Sequence, residues 1–520
     1  MLELNDCVSR RRAMLLGASR LMATWGAINA LGTDRADGFS EAAASRESLT
    51  AKSTTFRLSF SPTVRETPFT GRVYLFFSGN EKSPRRGPNW FHPEPFLSRD
   101  VVDLRPGDEV ELSLDAPETL RFPSDLTPDK LRSRYAQGVV RFNRWERRVG
   151  DGPGNGYSAT LAADEFGGWP RFSIDQIETQ PPFPELKWCR LLEVASPLLS
   201  QFHGRPVFMR ASVLLPASYF DAPTRRYPTI FTIPGFGGTH LMGLRNEPVR
   251  EENPQGVEFL RVVLDPSCPW GHHVFADSAT NGPWGRALVD DFLSAYEAEY
   301  RSIAEPRGRL LTGHSSGGWS SFWLQITHPE VFGGVWSTAP DPVDFRDFQR
   351  INIYRPGENM YVDPQQQRRP LARFGDKIAL WYDDFAQMEH VMGPGGQLQS
   401  FEAVFSPLST AGEPRQLWNR TTGEIDPVTA AAWKDYDINL VIQSRWKQLQ
   451  TTLSGKLNLF MGEADTFYLD GASRLLQQTL HDLGSDAVVE LSPGKDHSSL
   501  MTKELRDRIR SEMATRTLRG

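Results

Sequence analysis

Thr312-Gly313-His314-Ser315-Ser316-Gly317-Gly318-Trp319 sets one serine between two glycines, at the point where the apolar pattern changes period. Upstream, Arg309-Leu310-Leu311-Thr312 reads as a brief buried strand. Downstream, Trp319 to Thr327 reads as a helix closed by His328-Pro329, because the residue before a proline is pushed out of the helical region. A chain that turns from strand to helix within one residue strains that residue. A Cβ at either flank would collide with the neighbouring strand or helix, hence the glycines. The turn lifts the Ser315 hydroxyl clear of the sheet and leaves the Ser316 amide facing the same point.

A serine hydroxyl is a weak nucleophile at neutral pH and needs a base within hydrogen-bond reach. G-x-S-x-G on a strand–turn–helix is the nucleophile elbow of α/β-hydrolases, whose triad runs Ser, then Asp or Glu, then His along the chain. The loop Ser492-Pro493-Gly494-Lys495-Asp496-His497 follows the last strand-like run, Ala487 to Leu491, so His497 is the candidate base. Leu459-Phe460-Met461-Gly462-Glu463-Ala464-Asp465 puts Asp465 just past the preceding strand, where it can fix the imidazole tautomer. Glu463, Asp470 and Asp341 are alternative acids, and His390 is a second candidate base. An oxyanion hole needs two backbone donors. One is the amide of Ser316. The other comes from Pro234-Gly235-Phe236-Gly237-Gly238, after strand Thr229–Ile233, with Phe236 or Gly237 as the donor.

The rest of the chain divides around this motif. Residues 34–52 are small and polar, which suits a linker. From Thr55 to about Thr179, short alternating runs (Thr55–Phe60, Arg72–Phe77, Val101–Leu104, Glu109–Leu114, Val139–Phe142) are punctuated by Gly and Pro clusters. They predict an immunoglobulin-like β-sandwich within residues 53–190. After the proline-rich stretch at 180–184 the rhythm becomes strand–helix: Val207–Leu215, Thr229–Ile233, Phe259–Leu264, a helix over Arg286–Ile303, then the elbow, Gly334–Thr338, Leu457–Met461, a helix over Ala472–Leu483 and a C-terminal helix. Such alternation predicts a mostly parallel sheet covered on both faces over residues 191–520. Its rhythm lapses between about 340 and 454. That insertion carries Trp381, Trp418, Trp433 and Trp446, and we expect it to wall the site. Flat aromatic faces there would suit a sugar- or aryl-bearing ester.

Composition excludes several classes. With net charge −6, pI ≈ 6.0 and mean hydropathy −0.43, the chain has neither the basic balance of a nucleic-acid binder nor a run long enough to span a membrane. Cys7, Cys189 and Cys268 are too few and too scattered for a disulfide framework or a zinc site. Ser9-Arg10-Arg11-Arg12 before a mildly apolar run predicts a twin-arginine export signal over residues 1–33, and hence a periplasmic or extracellular protein. His272-His273 with Asp277 invites a metal reading, but adjacent residues of an extended segment point to opposite faces. His273, Asp277, Asn281 and Trp284 are read instead as substrate contacts, since they follow a core strand on the ligand-binding side of such sheets. Asp341 shares that side. His314 is expected to pack beside the nucleophile.

The segments PGFGG, GHSSGG, GEAD and GKDH, in this order, resemble the esterase family that includes esterase D, feruloyl esterases, the mycolyltransferase antigens and the enterochelin esterases. The likeness runs from about Arg205 to the C-terminus, outside the insertion. It implies hydrolysis of a small-molecule or carbohydrate-linked carboxylic ester through an acyl-enzyme, without metal or cofactor. Acyl transfer to an alcohol on the same triad, and a non-catalytic binding protein on this fold, are the alternatives. A β-sandwich ahead of the hydrolase is similar to the enterochelin esterase arrangement.

Overall fold

A computed structural model describes residues 55–131, 134–162, 170–250 and 253–519. The export signal, Cys7 and the whole of the linker read from the sequence fall outside them. Ala51–Gly520 form one compact unit.

The chain first forms β1 (Thr55–Phe60), β2 (Phe69–Ser78), β3 (Phe96–Leu104), β4 (Val110–Ser113), β5 (Leu120–Phe122), β6 (Tyr135–Val140), β7 (Gly156–Ser158), β8 (Leu161–Ala162) and β9 (Arg171–Ile177). These hydrogen-bond as one sheet in the order β4-β1-β9-β7-β6-β2-β3-β5, with β8 on β6. Alternation supplies its core. Phe56, Leu58 and Phe60 of β1 join Val73, Leu75 and Phe77 of β2 in one apolar cluster. The intervening Tyr74 and Phe76, with Phe96, Phe122 and Val139, belong to the core shared with the rest of the molecule. β2 is therefore apolar on consecutive residues because both of its faces are buried.

The second sheet comprises β10 (Cys189–Ala195), β11 (Phe208–Leu214), β12 (Thr229–Ile233) and β13 (Leu260–Leu264). After the two short hairpins β14–β15 (Ser267–Cys268, Gly271–His272) and β16–β17 (Asp277–Ser278, Gly282–Pro283) it gains β18 (Arg309–His314) and β19 (Gly334–Thr338). β20 (Pro370–Phe374) and β21 (Lys377–Trp381) make a separate hairpin, and β22 (Leu457–Gly462) and β23 (Val488–Ser492) finish the sheet. Its order is β10-β11-β13-β12-β18-β19-β22-β23. β10, β11 and β13 meet antiparallel, and all pairs from β13 to β23 are parallel. This is the α/β-hydrolase architecture.

The helix read over Arg286–Ile303 differs in detail. It forms as two α-helical pieces, Trp284–Ala287 and Leu293–Glu299, joined by a π-helical turn at Leu288–Phe292. It stops at Glu299 because Tyr227 pairs with the following backbone, accepting from the Ile303 amide at 2.9 Å. Leu288, Phe292 and Tyr296 are buried, as their spacing requires.

Residues 340–454 fold into the β20–β21 hairpin and the helices Tyr382–Met392, Gln397–Phe405, Pro427–Ala432 and Ile438–Leu453. The tryptophans at 418 and 433 fill a core here and offer no ligand platform; both are at most 2% exposed. The N-terminal sheet closes the end of the helix Tyr382–Met392. Arg72, Ser98 and Tyr74 donate to the carbonyls of His390 (2.9 Å), Val391 (2.6 Å) and Met392 (2.8 Å). Terminal helix carbonyls have no partner within the helix, so this contact joins the two regions. No helix among the described residues is long and apolar enough to cross a membrane. Cys189 and Cys268 are both free thiols, buried in the interior.

Candidate active site

Parallel pairing sets the strand ends level. Ile233 pairs with Gly313, His314 with Thr338, Thr338 with Phe460, and Gly462 with Ser492. The loops that leave these ends carry Gly235–Gly237, Ser315, Asp341, Asp465 and His497, so residues far apart in sequence gather at one edge of the sheet.

Ser315 has φ 59° and ψ −126°, a strained conformation for a residue with a side chain. It precedes the helix Ser316–Thr327, which starts three residues earlier than the apolar spacing suggests. The flanking glycines are sterically required. A Cβ on Gly313 would lie 2.0 Å from the Gly317 carbonyl oxygen, and one on Gly317 would lie 1.9 Å from the Ile233 carbonyl oxygen. Gly235 touches the nucleophile itself, because a Cβ there would sit 3.3 Å from the Ser315 Cβ.

His497 Nδ1 donates to Asp465 Oδ2 at 2.8 Å, and Asp465 is fully buried. The other Asp465 oxygen accepts the backbone amides of Phe467 at 2.8 Å and Leu469 at 3.4 Å. With three donors on its two oxygens, the carboxylate is held rigidly and in turn holds the proton of His497 on Nδ1. Burial pulls the imidazole down, but the carboxylates of Asp465, Asp341 and Asp496 outweigh it and raise its pKa above the ordinary value. The His497 ring stands 4.6 Å from that of His314, and Phe467 meets it edge-on at 5.0 Å. His314 donates or accepts at Thr338 Oγ1, 3.0 Å away. Burial and the neighbouring His497 push its pKa down to about 3, so it stays neutral beside the nucleophile.

Asp341 lies within the site. It accepts from Ser315 Oγ at 3.5 Å and from Ser316 Oγ at 2.5 Å. Desolvation raises its carboxyl to about 6, against the hydrogen bond from Ser316. In this conformation the Ser315 hydroxyl is turned towards Asp341, and the imidazole and that hydroxyl share Asp341 as a neighbour. The other candidate acids are engaged elsewhere: Glu463 with Arg474 at 3.3 Å, and Asp470 with the same arginine at 3.7 Å. His390 is exposed on the helix that meets the N-terminal sheet.

The four loop residues read as substrate contacts are engaged by one another or by their surroundings. His273 stacks on Trp284 at 3.7 Å. Asp277 pairs with Arg286 at 2.8 Å and accepts the Gly285 amide, and Asn281 is buried with its carbonyl facing His203 at 3.1 Å. Among the described residues none of the four has a hydrogen bond or ring contact with Ser315, Asp465 or His497. Their neighbour His272 matters more. Its Nδ1 accepts the Val274 amide, which places the proton on Nε2, and Nε2 donates to the Pro234 carbonyl at 2.9 Å. Burial lowers its pKa to about 4, so a neutral imidazole anchors the start of the Gly235–Gly238 loop. Among the described residues no three His, Cys, Asp or Glu side chains gather as a metal site.

Sequence reading missed the residues that other regions send to this edge. Gln397 Nε2, at the head of a helix in the insertion, donates to Ser316 Oγ at 3.1 Å. Trp90 stacks on Phe236 at 5.6 Å and meets Phe385 edge-on at 5.0 Å. Phe91 lies 6.3 Å from Phe467. Arg147 covers the Phe236 ring and donates to the Gly237 carbonyl at 3.2 Å. No local pattern marks these positions, because each acts through partners far away in sequence, 81 residues for Gln397 and 90 for Arg147.

A strained serine at a strand–helix elbow, level with a buried His–Asp pair on the same sheet edge, defines the serine hydrolase class. Residues 206–480, more than half of the chain, match the family described as "Putative esterase". The chain belongs to that family and is an esterase. No curated protein sequence matches it. Among solved structures it is similar to a ferulic acid esterase (12% identity, 64% of this chain and 97% of that one, TM-score 0.38). It is also similar to an S-formylglutathione hydrolase from Agrobacterium tumefaciens (16%, 63% and 95%, TM-score 0.37). A third is the ferulic acid esterase of Anaeromyces mucronatus in complex with ferulic acid (12%, 65% and 95%, TM-score 0.34).

Proposed function

We propose that the chain hydrolyses carboxylic esters through an acyl-enzyme on a Ser315–His497–Asp465 triad. His497 Nε2 takes the hydroxyl proton as Ser315 Oγ attacks the ester carbonyl. The oxyanion that forms rests on the amides of Ser316 and of Phe236 or Gly237. Collapse breaks the bond to the alcohol, which leaves with the proton from His497. Water then attacks the acyl-serine, His497 again serving as base, and the acid departs. The observation that carries this reading is the 2.8 Å His497–Asp465 contact at the strand ends beside the strained Ser315.

The aromatic wall of Trp90, Phe91, Phe236, Phe385 and Phe467 supports an ester with a flat apolar or sugar face on one side of the scissile bond. We also propose that the single N-terminal sheet folds over the apolar face common to its strands to give sandwich-like packing of the immunoglobulin type, and that residues 1–33 direct export. Cell fractionation with and without those residues tests the latter.

Turnover of short-chain 4-nitrophenyl esters by the wild type and Ser315→Ala tests the chemistry. The variant should lose activity, and a serine-directed phosphonate should label Ser315 alone. Equal turnover by both proteins, or labelling at another residue, rejects the assignment.

A further inference from the structure

The surroundings of the oxyanion loop carry one step more, which rests on the esterase reading. We propose that Arg147 binds an anionic substituent of the substrate, so that the preferred ester carries a carboxylate or similar anion on the Gly237 side of the site.

Arg147 lies in the loop between β6 and β7 and is thus delivered by the N-terminal sheet. Its guanidinium sits 5.0 Å over the Phe236 ring and spends one N–H on the Gly237 carbonyl. Two residues earlier in that loop, Gly235 abuts Ser315. The backbone of Arg147 is fixed against Gly395, where a Cβ would come within 3.0 Å of the Arg147 carbonyl oxygen.

What singles this arginine out is charge. The acids closest in sequence, Glu146 and Asp151, are both taken by Arg148, at 3.3 and 3.8 Å. Among the described residues no carboxylate forms an ion pair with Arg147. Burial pulls its guanidinium below the ordinary value, against the weaker pull of Glu146. Arg147 is only half-buried, so an anion can reach its remaining donors, which form a planar fork suited to a carboxylate.

The site is also electrically polarised. β12 and β19 flank β18 on opposite sides. The β12 loop carries Gly237, with Arg147 of the N-terminal sheet bonded to it, on one side, and the β19 loop carries Asp341 on the other. An anion is repelled on the second side and accepted on the first. If Arg147 served only to steady the loop, a neutral donor to the Gly237 carbonyl would do as well, and that difference is measurable.

The test is kcat/KM for two matched pairs: 4-nitrophenyl hemisuccinate against 4-nitrophenyl butyrate, and 4-acetoxybenzoate against its methyl ester. Wild type, Arg147→Gln and Arg147→Lys are compared at low ionic strength. We expect the anionic-to-neutral ratio to fall at least tenfold in Arg147→Gln for one pair or both, with Arg147→Lys retaining part of it. A ratio that stays constant across the three proteins in both pairs overturns the proposal and leaves Arg147 a loop support, while the esterase reading stands. Absence of turnover of all four esters by folded wild type removes the esterase reading and this proposal together. Should Arg147→Gln fail to fold, the Arg147→Lys ratio and inhibition of the wild type by benzoate against benzamide decide. Equal inhibition then overturns the proposal.

Discussion

Replacing Asp465 by asparagine changes one atom and should disable the site without unfolding it. The carboxylate accepts three N–H groups: the Phe467 and Leu469 amides on Oδ1 and His497 Nδ1 on Oδ2. Asparagine keeps a single acceptor oxygen. The two backbone amides cannot rotate away, so they hold that oxygen, and the new NH2 faces His497. To avoid opposing two donors, the imidazole must move its proton from Nδ1 to Nε2. Nε2 then cannot accept the proton of Ser315. Loss of the right tautomer in a serine triad costs about 10⁴ in turnover, which corresponds to about 5.4 kcal/mol at 1.36 kcal/mol per tenfold. The assay is kcat on a 4-nitrophenyl ester, with His497→Ala as the reference and thermal denaturation as the check on folding. If Asp465→Asn loses less than tenfold while His497→Ala loses thousands, the argument from acceptor count is wrong.

Three further outcomes follow from the geometry. Activity requires neutral His497, whose pKa is raised by Asp465, Asp341 and Asp496 against burial, so the acid limb of kcat/KM should lie above the ordinary histidine value. Asp341→Asn removes one of the raising charges and should move that limb to lower pH; a shift upward, or none, contradicts the assignment. Gly317→Ala should lower kcat by about a hundredfold or more, since its Cβ would meet the Ile233 carbonyl oxygen at 1.9 Å and prise the elbow from the oxyanion strand; near-normal turnover would show that the elbow tolerates the shift. Trp433→Ala should cost about 3–5 kcal/mol of stability, read by urea denaturation, because the ring is fully buried against Phe345, Phe348 and Phe405; a loss under about 1 kcal/mol would mean the insertion core repacks.

Most of the catalytic sheet was legible because its signals are local. A buried parallel strand shows as a short apolar run, and the elbow shows as glycines at the two places where a Cβ would strike backbone. Register did the rest: with β18, β19, β22 and β23 parallel and level, the loops past their ends open on one edge, and the order Ser, Asp, His pointed to Ser315, Asp465 and His497 as candidates. In the loop at 272–284 the sequence shows adjacency to a strand end but not the direction of the side chains. The histidines and Trp284 there turn inward, and what reaches the oxyanion loop is the Nε2 donor of His272. Trp418 and Trp433 are similar, since an aromatic ring reads alike whether it faces ligand or core, and here both face core.

By itself, the sequence determined the elbow and the sheet and pointed to His497 as the candidate base, because each depends on contacts between near neighbours or on strand order. Only the tertiary structure decided that Asp465 and not Glu463 or Asp470 meets His497, and that Trp90, Arg147 and Gln397 meet Phe236, Gly237 and Ser316. Those contacts join a separate sheet and an insertion to the catalytic edge. Their energy comes from burying surfaces that have no periodic imprint in the chain, so no window of residues, however long, displays them.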